Sequence, residues 1–294
     1  MTTTMQLFKP YSLNVRGHLM TIHQPWVMAI VNVTPDSFYA DSRANSQQEL
    51  LQRVQQAVEQ GADVIDVGAC STRPGSQSAS EDEELARLQW ALPLVRGVLP
   101  DHVLLSVDTF RATVAARCVQ HWGADVVNDI SGGTLDNQMF DTIARLRCPY
   151  VLTHTRGTPD TMQQHAHYDD VTADVLQWLA RRLDDLRQRG VADVIVDPGF
   201  GFAKQTTHNY QLLRNLSMLH VLNAPLLVGV SRKRMVWQPL GITASDAVNG
   251  TTVLNTVALM AGAHILRVHD VREAVQARTL LHHLLHDNAP LTDY

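Results

Sequence analysis

Short apolar runs rich in Val, Ile and Leu punctuate this chain at 27–33, 63–67, 103–107, 125–127, 150–152, 193–196, 225–230 and 264–268. Each is too short and too β-branched for a surface helix, and each is followed by a loop and then a segment of helical period. Helices are predicted over 46–60, from Ser80 onward, and over about 111–122, 136–145, 169–189, 207–219, 245–261 and 271–286. Ser46 with Glu49 and Ser80 with Glu83 carry the capping-box spacing, and Gly61, Gly123 and Gly262 stand where a helix stops before a buried strand. Eight such β/α units predict an α/β protein, a single-domain (β/α)8 TIM barrel over residues 26–288. Residues 1–25 lead into it and 289–294 form a tail.

Polar residues recur where the runs stop: Asn32, Asp108, Asn128, His154, Asp197 and Lys233. In such a barrel the C-terminal strand ends open onto one mouth, where catalytic groups gather. That mouth is the expected active site.

Composition narrows the function. A 45% hydrophobic content over 294 residues supports a large core, and a formal charge of −5 argues against nucleic acid, which demands a basic face. No stretch approaches a signal peptide or a membrane span, so a cytoplasmic protein without a membrane or nucleic-acid partner is expected. Cys70, Cys118 and Cys148 are odd in number and lack metal-knuckle spacing, and Cys118 and Cys148 read as reduced structural thiols.

The strand-end residues sort into two subsites. Two carboxylates and an amide with a lysine suit a flat heterocycle offering N–H donors. Asn32, Arg267 and His269, on the first and last strands, suit a diphosphate with a magnesium ion. The segment Asp66-Val67-Gly68-Ala69-Cys70-Ser71-Thr72-Arg73-Pro74-Gly75 is expected to be a Gly- and Ser-rich loop with one arginine near its tip, able to close over an anion.

These motifs, Asn32 to Phe38, Ser71 to Gly75, Asp197 to Phe202 and Arg267 to Asp270, resemble those of the dihydropteroate synthases, a pterin-binding barrel family, over nearly the whole chain. The resemblance implies condensation of 6-hydroxymethyl-7,8-dihydropterin diphosphate with 4-aminobenzoate by a dissociative path, with sulfonamides as inhibitors and a homodimer through 249–260 and 271–285. It makes Asp108, Asn128, Asp197 and Lys233 the pterin-holding residues, Asn32 the magnesium contact, and Thr72 with Arg73 the closing loop. It makes Arg267 with His269 the diphosphate grip, places Phe202, Gly229 and Lys233 among the substrate contacts, and adds Asp36 and Asp41 to the catalytic set. A folate-dependent methyltransferase of the same superfamily would not need the Arg267–His269 pair. A non-catalytic pterin-binding paralogue is the other alternative.

Several positions depart from the family pattern. Cys70 replaces a carboxylate, Asp41 appears one place late with Ala40 in its slot, and Thr153 and Thr155 flank His154 where methionines are usual. Arg234 follows Lys233 where a serine is common, beside the aminobenzoate pocket, and is a candidate for altered carboxylate recognition or hindered sulfonamide binding. Simpler readings apply elsewhere. Asp197 and Asn128-Asp129 have the residue types of turns and helix caps, His165 with His167 and His282, His283 and His286 read as surface, and Arg181, Arg182 and Arg187 as an exposed helical stripe.

Overall fold

The computed structural model describes residues 8–33, 43–70 and 79–285. The eight parallel strands are β3 (Trp26–Asn32), β4 (Val64–Gly68), β5 (Leu104–Asp108), β6 (Val126–Asp129), β7 (Tyr150–Thr153), β8 (Val194–Asp197), β9 (Leu227–Val228) and β10 (Ile265–Val268). They run in the order β8-β7-β6-β5-β4-β3-β10-β9, and a parallel bridge between Val196 and Leu226 closes the ring. Outside lie α1 (Arg43–Glu59), α2 (Glu81–Arg96), α3 (Ala112–His121), α4 (Met139–Leu146), α5 (Val171–Gln188), α6 (Thr206–Arg214), α7 (Arg234–Leu240), α8 (Val248–Met260) and α9 (Val271–Leu285). This is the expected (β/α)8 barrel.

Ahead of it, β1 (Tyr11–Val15) and β2 (His18–Ile22) form an antiparallel hairpin. Its Arg16-Gly17 turn has left-handed φ at both residues, 52° and 81°, as a tight two-residue hairpin turn requires. Leu13, Val15 and Ile22 pack into the barrel floor against Met28, Val64, Leu104, Val126, Val151, Ile195, Leu227 and Ile265. Arg16 is tied to Asp125, and the Asn14 amide donates to Asp193 at 2.9 Å. The hairpin closes the end opposite the mouth.

Alternation along the strands explains how an apolar barrel acquires a polar mouth. Successive side chains face opposite ways, so residues two apart share the interior. Val64, Leu104, Val126 and Ile265 form the floor. Two residues on, the same faces carry Asp66, Ser106, Asn128 and Arg267, which bond to one another. The intervening Ile65, Leu105, Val127 and Leu266 pack outward in the large core beneath the helices.

Local details correct parts of the sequence reading. Ser80 and Glu83 form the predicted capping box, but Ser46 lies inside α1, which begins at Arg43. The helix expected over 207–219 ends at Arg214 and continues as a 3-10 turn over Leu216–Leu222. The short α7, which contains Pro239, was too brief to register as a period.

Candidate active site

Asp66 organises the base of the mouth. It is fully buried; its Oδ1 accepts from Ser106 Oγ at 2.6 Å and its Oδ2 from Asn128 Nδ2 at 2.9 Å. Arg267 Nε donates to the same Oδ2 at 2.7 Å, and Arg267 Nη2 reaches Asp108 Oδ2 at 2.6 Å. Asp66, expected at the start of the Gly- and Ser-rich loop running to Gly75, lies instead within β4, and its role as organiser was missed because it sits inside an apolar run and not at its end. The run itself held the signal, since a carboxylate buried among Val and Ile needs a partner charge.

The charges at this cluster perturb one another. Burial pushes the Asp108 carboxyl up to about 7, with Arg267 pulling it down and Asp66 pushing it further up. Burial also lowers Arg267, yet Asp66 and Asp108 outweigh it and hold the guanidinium above its ordinary value. Arg267 therefore stays a cation, with two of its nitrogens committed to carboxylates.

A second group stands on the β8 and β9 side. Asp197, 5% exposed at the end of β8, accepts from the Gly199 amide at 2.7 Å. Burial raises its pKa and the Lys233 charge draws it back. Lys233 precedes α7; its Nζ donates to the Phe200 carbonyl and lies 4.8 Å from the centroid of the Phe202 ring. Burial lowers this ammonium to about 8 against the pull of Asp197. A Cβ on Gly229 would stand 3.7 Å from Lys233 Nζ and 3.8 Å from Arg267 Cβ, placing this glycine between the two cations.

The β3–β10 wall completes the mouth. The two strands pair directly, Val268 opposite Ala29, which brings Asn32, Arg267 and His269 to one side. A Cβ on Gly68 would come 3.4 Å from Asn32 Oδ1 and 3.4 Å from Asp108 Cβ, so glycine keeps the space beside both open. The exposed His269 meets Ser231 Oγ through Nδ1 at 3.1 Å. No group of three His, Cys, Asp or Glu side chains able to hold a metal occurs among the described residues.

Asp36, Ala40, Asp41, Thr72, Arg73 and His286 lie outside the described residues. His154 departs from expectation. Val151 faces the barrel interior and Leu152 the outer core, so the alternation that turns Thr153 inward turns His154 outward. There it is fully buried against Trp178 of α5, with ring centroids 5.1 Å apart, and does not line the mouth. Thr153 stands opposite Asp197 in the strand register, its hydroxyl buried and without a hydrogen-bond partner. Arg182 is likewise no solvated stripe residue: it donates to the Gly132 carbonyl at 2.8 Å and stacks on Phe140 at 4.2 Å.

Asn128 and Asp129 cap no helix, since α4 begins only at Met139. Asn128 donates to Asp66, and Asp129 is a turn carboxylate, accepting from the Ser131 and Gly133 amides and the Tyr150 hydroxyl, each at 2.7 Å. Cys118 and Cys148 are buried free thiols. Cys70 is pushed up to about 12 by burial and the nearby Glu84, which keeps it a thiol. Arg234 is exposed and donates to Gln238 at 3.1 Å, one turn further along α7.

Known proteins share both the sequence and the shape. The chain is 39% identical to a dihydropteroate synthase of Escherichia coli (strain K12) over 268 residues, 90% of this chain and 93% of that protein. It is 39% identical to one from Synechocystis sp., covering 85% of this chain and 87% of the relative. A Yersinia pestis dihydropteroate synthase solved with a sulfonamide drug superposes with a TM-score of 0.86 at 38% identity, covering 94% of this chain and 99% of the other. The Xanthomonas albilineans enzyme with 4-aminobenzoic acid gives 0.85 at 35% identity, covering 96% and 100%. The same enzyme with 7,8-dihydropteroate gives 0.83 at 33% identity, covering 95% and 100%. The profile of the pterin binding enzymes matches residues 28–269, from the first barrel strand to the mouth residues after the last, and the chain belongs to that family.

Proposed function

We propose that this chain is a dihydropteroate synthase, condensing 6-hydroxymethyl-7,8-dihydropterin diphosphate with 4-aminobenzoate to give 7,8-dihydropteroate and diphosphate. The carrying observation is the convergence of Asp108, Asn128, Asp197 and Lys233 with Arg267 at neighbouring strand ends. A pterin edge rich in N–H donors matches ionised carboxylates, and its ring acceptors match an amide and an ammonium. The relatives solved with 4-aminobenzoic acid, dihydropteroate and a sulfonamide support the same substrates and inhibitor class here.

The path we infer is dissociative. The C–O bond at the pterin methylene breaks with its electron pair leaving on diphosphate, and the amine lone pair of 4-aminobenzoate then forms the C–N bond. The surplus amine proton leaves to solvent. Asp108 and Asp197 stabilise the cationic pterin between these steps, while the arginine of Arg267 and the ring of His269 stand on the wall where the diphosphate departs. In this reading Thr72 and Arg73 form the loop that closes over the anion, and Asp36 and Asp41 belong to the catalytic set, as the family resemblance implies. Phe202, Lys233 and Arg234 border the arylamine in this reading, with Gly229 a substrate contact beside Lys233.

Magnesium belongs to the same proposal. Asn32 presents one carboxamide oxygen beside the side-chain-free Gly68, which fits an ion that keeps most of its waters and takes phosphate oxygens for the rest. When bound, the ion neutralises charge on the diphosphate leaving group.

A homodimer through α8 and α9 is part of the proposal. Val253 (54% exposed) and Val257 on α8, with Leu280 (71%) and Leu284 (69%) on α9, leave apolar side chains in solvent on two helices that pack together. The location we infer is cytoplasmic, supported by Cys70, Cys118 and Cys148 all being free thiols. Among the described residues no helix is long and apolar enough to cross a membrane.

The test is product formation. Purified protein given both substrates and magnesium should form 7,8-dihydropteroate, inhibited by a sulfonamide in competition with 4-aminobenzoate. Absence of product with both substrates present contradicts the proposal.

A further inference from the structure

Lys204 is a second lysine beside the site, and nothing in the reaction requires it. It is 3% exposed, and its Nζ lies 2.9 Å from the Gly199 carbonyl, 3.0 Å from the Phe202 carbonyl and 2.9 Å from His154 Nδ1. An ammonium has three N–H donors and no acceptor, so these three partners occupy it fully and leave nothing for a substrate. Burial lowers the pKa of Lys204 and the Asp197 carboxylate opposes that. His154 is held well below its ordinary value by burial and by the Lys204 charge, so it is a neutral acceptor.

The backbone that Lys204 ties together needs such a hold. Gly199, Gly201 and Ala203 have left-handed φ of 70°, 82° and 48°. Ala203 carries a side chain, so this conformation costs about 1 kcal/mol or more and is maintained by its surroundings. Tyr168 donates to the Ala203 carbonyl at 2.9 Å, and the Gly201 amide donates to Asn209 Oδ1 at 2.8 Å. From the front of this turn, the Gly199 amide grips Asp197 and the Phe200 carbonyl receives Lys233.

We propose that Lys204, seated on His154, is a positioning residue for pterin binding: it fixes the turn over 197–202 so that Asp197 and Lys233 are set in place before the ligand arrives. The inference rests on the synthase reading for the identity of the ligand.

The experiment compares the full-length wild type with Lys204→Met, an unbranched side chain one atom shorter that loses all donors, and with Lys204→Gln, which keeps two N–H donors. Each is titrated calorimetrically with 6-hydroxymethyl-7,8-dihydropterin diphosphate and magnesium, and the folded fraction is taken from thermal unfolding. The Met variant should lose about tenfold or more in affinity per folded molecule, as expected for hydrogen bonds from a charged donor, and the Gln variant should recover about threefold or more of that loss. A folded Met variant binding within about twofold of wild type overturns the inference, as does a Gln variant no better than Met. Wild-type protein that binds no pterin contradicts the synthase reading and this inference together. Normal wild-type binding with an unchanged Met variant contradicts this inference alone.

Discussion

Arg267 bridges Asp66 and Asp108, with its Nε 2.7 Å from Asp66 and its Nη2 2.6 Å from Asp108. One cation thus joins a fully buried carboxylate to a carboxylate at the mouth. Truncating Asp66 leaves Arg267 and Asn128 without their shared acceptor in the barrel interior. Asp66→Ala should therefore cost about 3–5 kcal/mol, read by urea unfolding, because it breaks a buried ion pair from one side. A loss well under about 1 kcal/mol would mean that the pair is not the keystone its geometry indicates.

The pH dependence follows from two displaced groups. Asp108 is raised from 3.8 to about 7, so between these values the folded chain binds a proton that the unfolded chain has released. Its contribution to stability is present below the unfolded value and is lost as pH rises to about 7. Lys233 is lowered from 10.5 to about 8, so there the unfolded chain binds the extra proton, and stability recovers as pH rises through that interval. In the proposed reaction both groups are charged when the pterin binds. The kcat/KM profile is expected to be bell-shaped, with apparent limbs near 7 and 8 belonging to the coupled cluster. Asp108→Asn should abolish the acid limb along with most of the activity, and an acid limb unchanged in that variant would contradict the assignment.

Gly199 shows how tightly the turn after β8 is built. A Cβ there would lie 2.0 Å from the His154 carbonyl, with φ at 70°. Backbone against backbone cannot yield as a flexible side chain does. Gly199→Ala should destabilise the chain by more than about 3 kcal/mol in a denaturant titration. Gly190, also left-handed but with nothing within 4 Å of its Cβ, is the control, and its alanine variant should lose about 1 kcal/mol.

The apolar face of α8 and α9 gives a separate prediction. If the proposed dimer forms through this face, Leu280→Glu and Leu284→Glu should convert it to a monomer in sedimentation velocity while the barrel remains folded. An unaltered sedimentation coefficient would contradict a dimer formed through this face.

The barrel was legible because its strands are apolar runs, most of them ending in or just before a polar residue. The ends at Asn32, Asp108, Asn128 and Asp197 all lie at the mouth. His154 followed the same rule and misled, because the end of a run does not reveal which face its last residue takes. Strand alternation from Val151 assigns it outward. Asp66 was hidden for the opposite reason, being inside a run. The hairpin before β3 had a sequence signal in the Arg16-Gly17 turn between two extended stretches, but short paired strands outside the repeating βα rhythm leave little periodicity to read. Lys204 had none: its position behind Asp197 depends on three left-handed residues winding the chain back on itself.

The most direct measurement is diphosphate release by the purified protein given dihydropterin diphosphate and magnesium, followed together with dihydropteroate formation, with and without 4-aminobenzoate. The synthase account predicts one dihydropteroate for each diphosphate released when both substrates are present. Tight pterin binding with no dihydropteroate formed would contradict it, leaving a protein that has kept the pocket and lost the reaction.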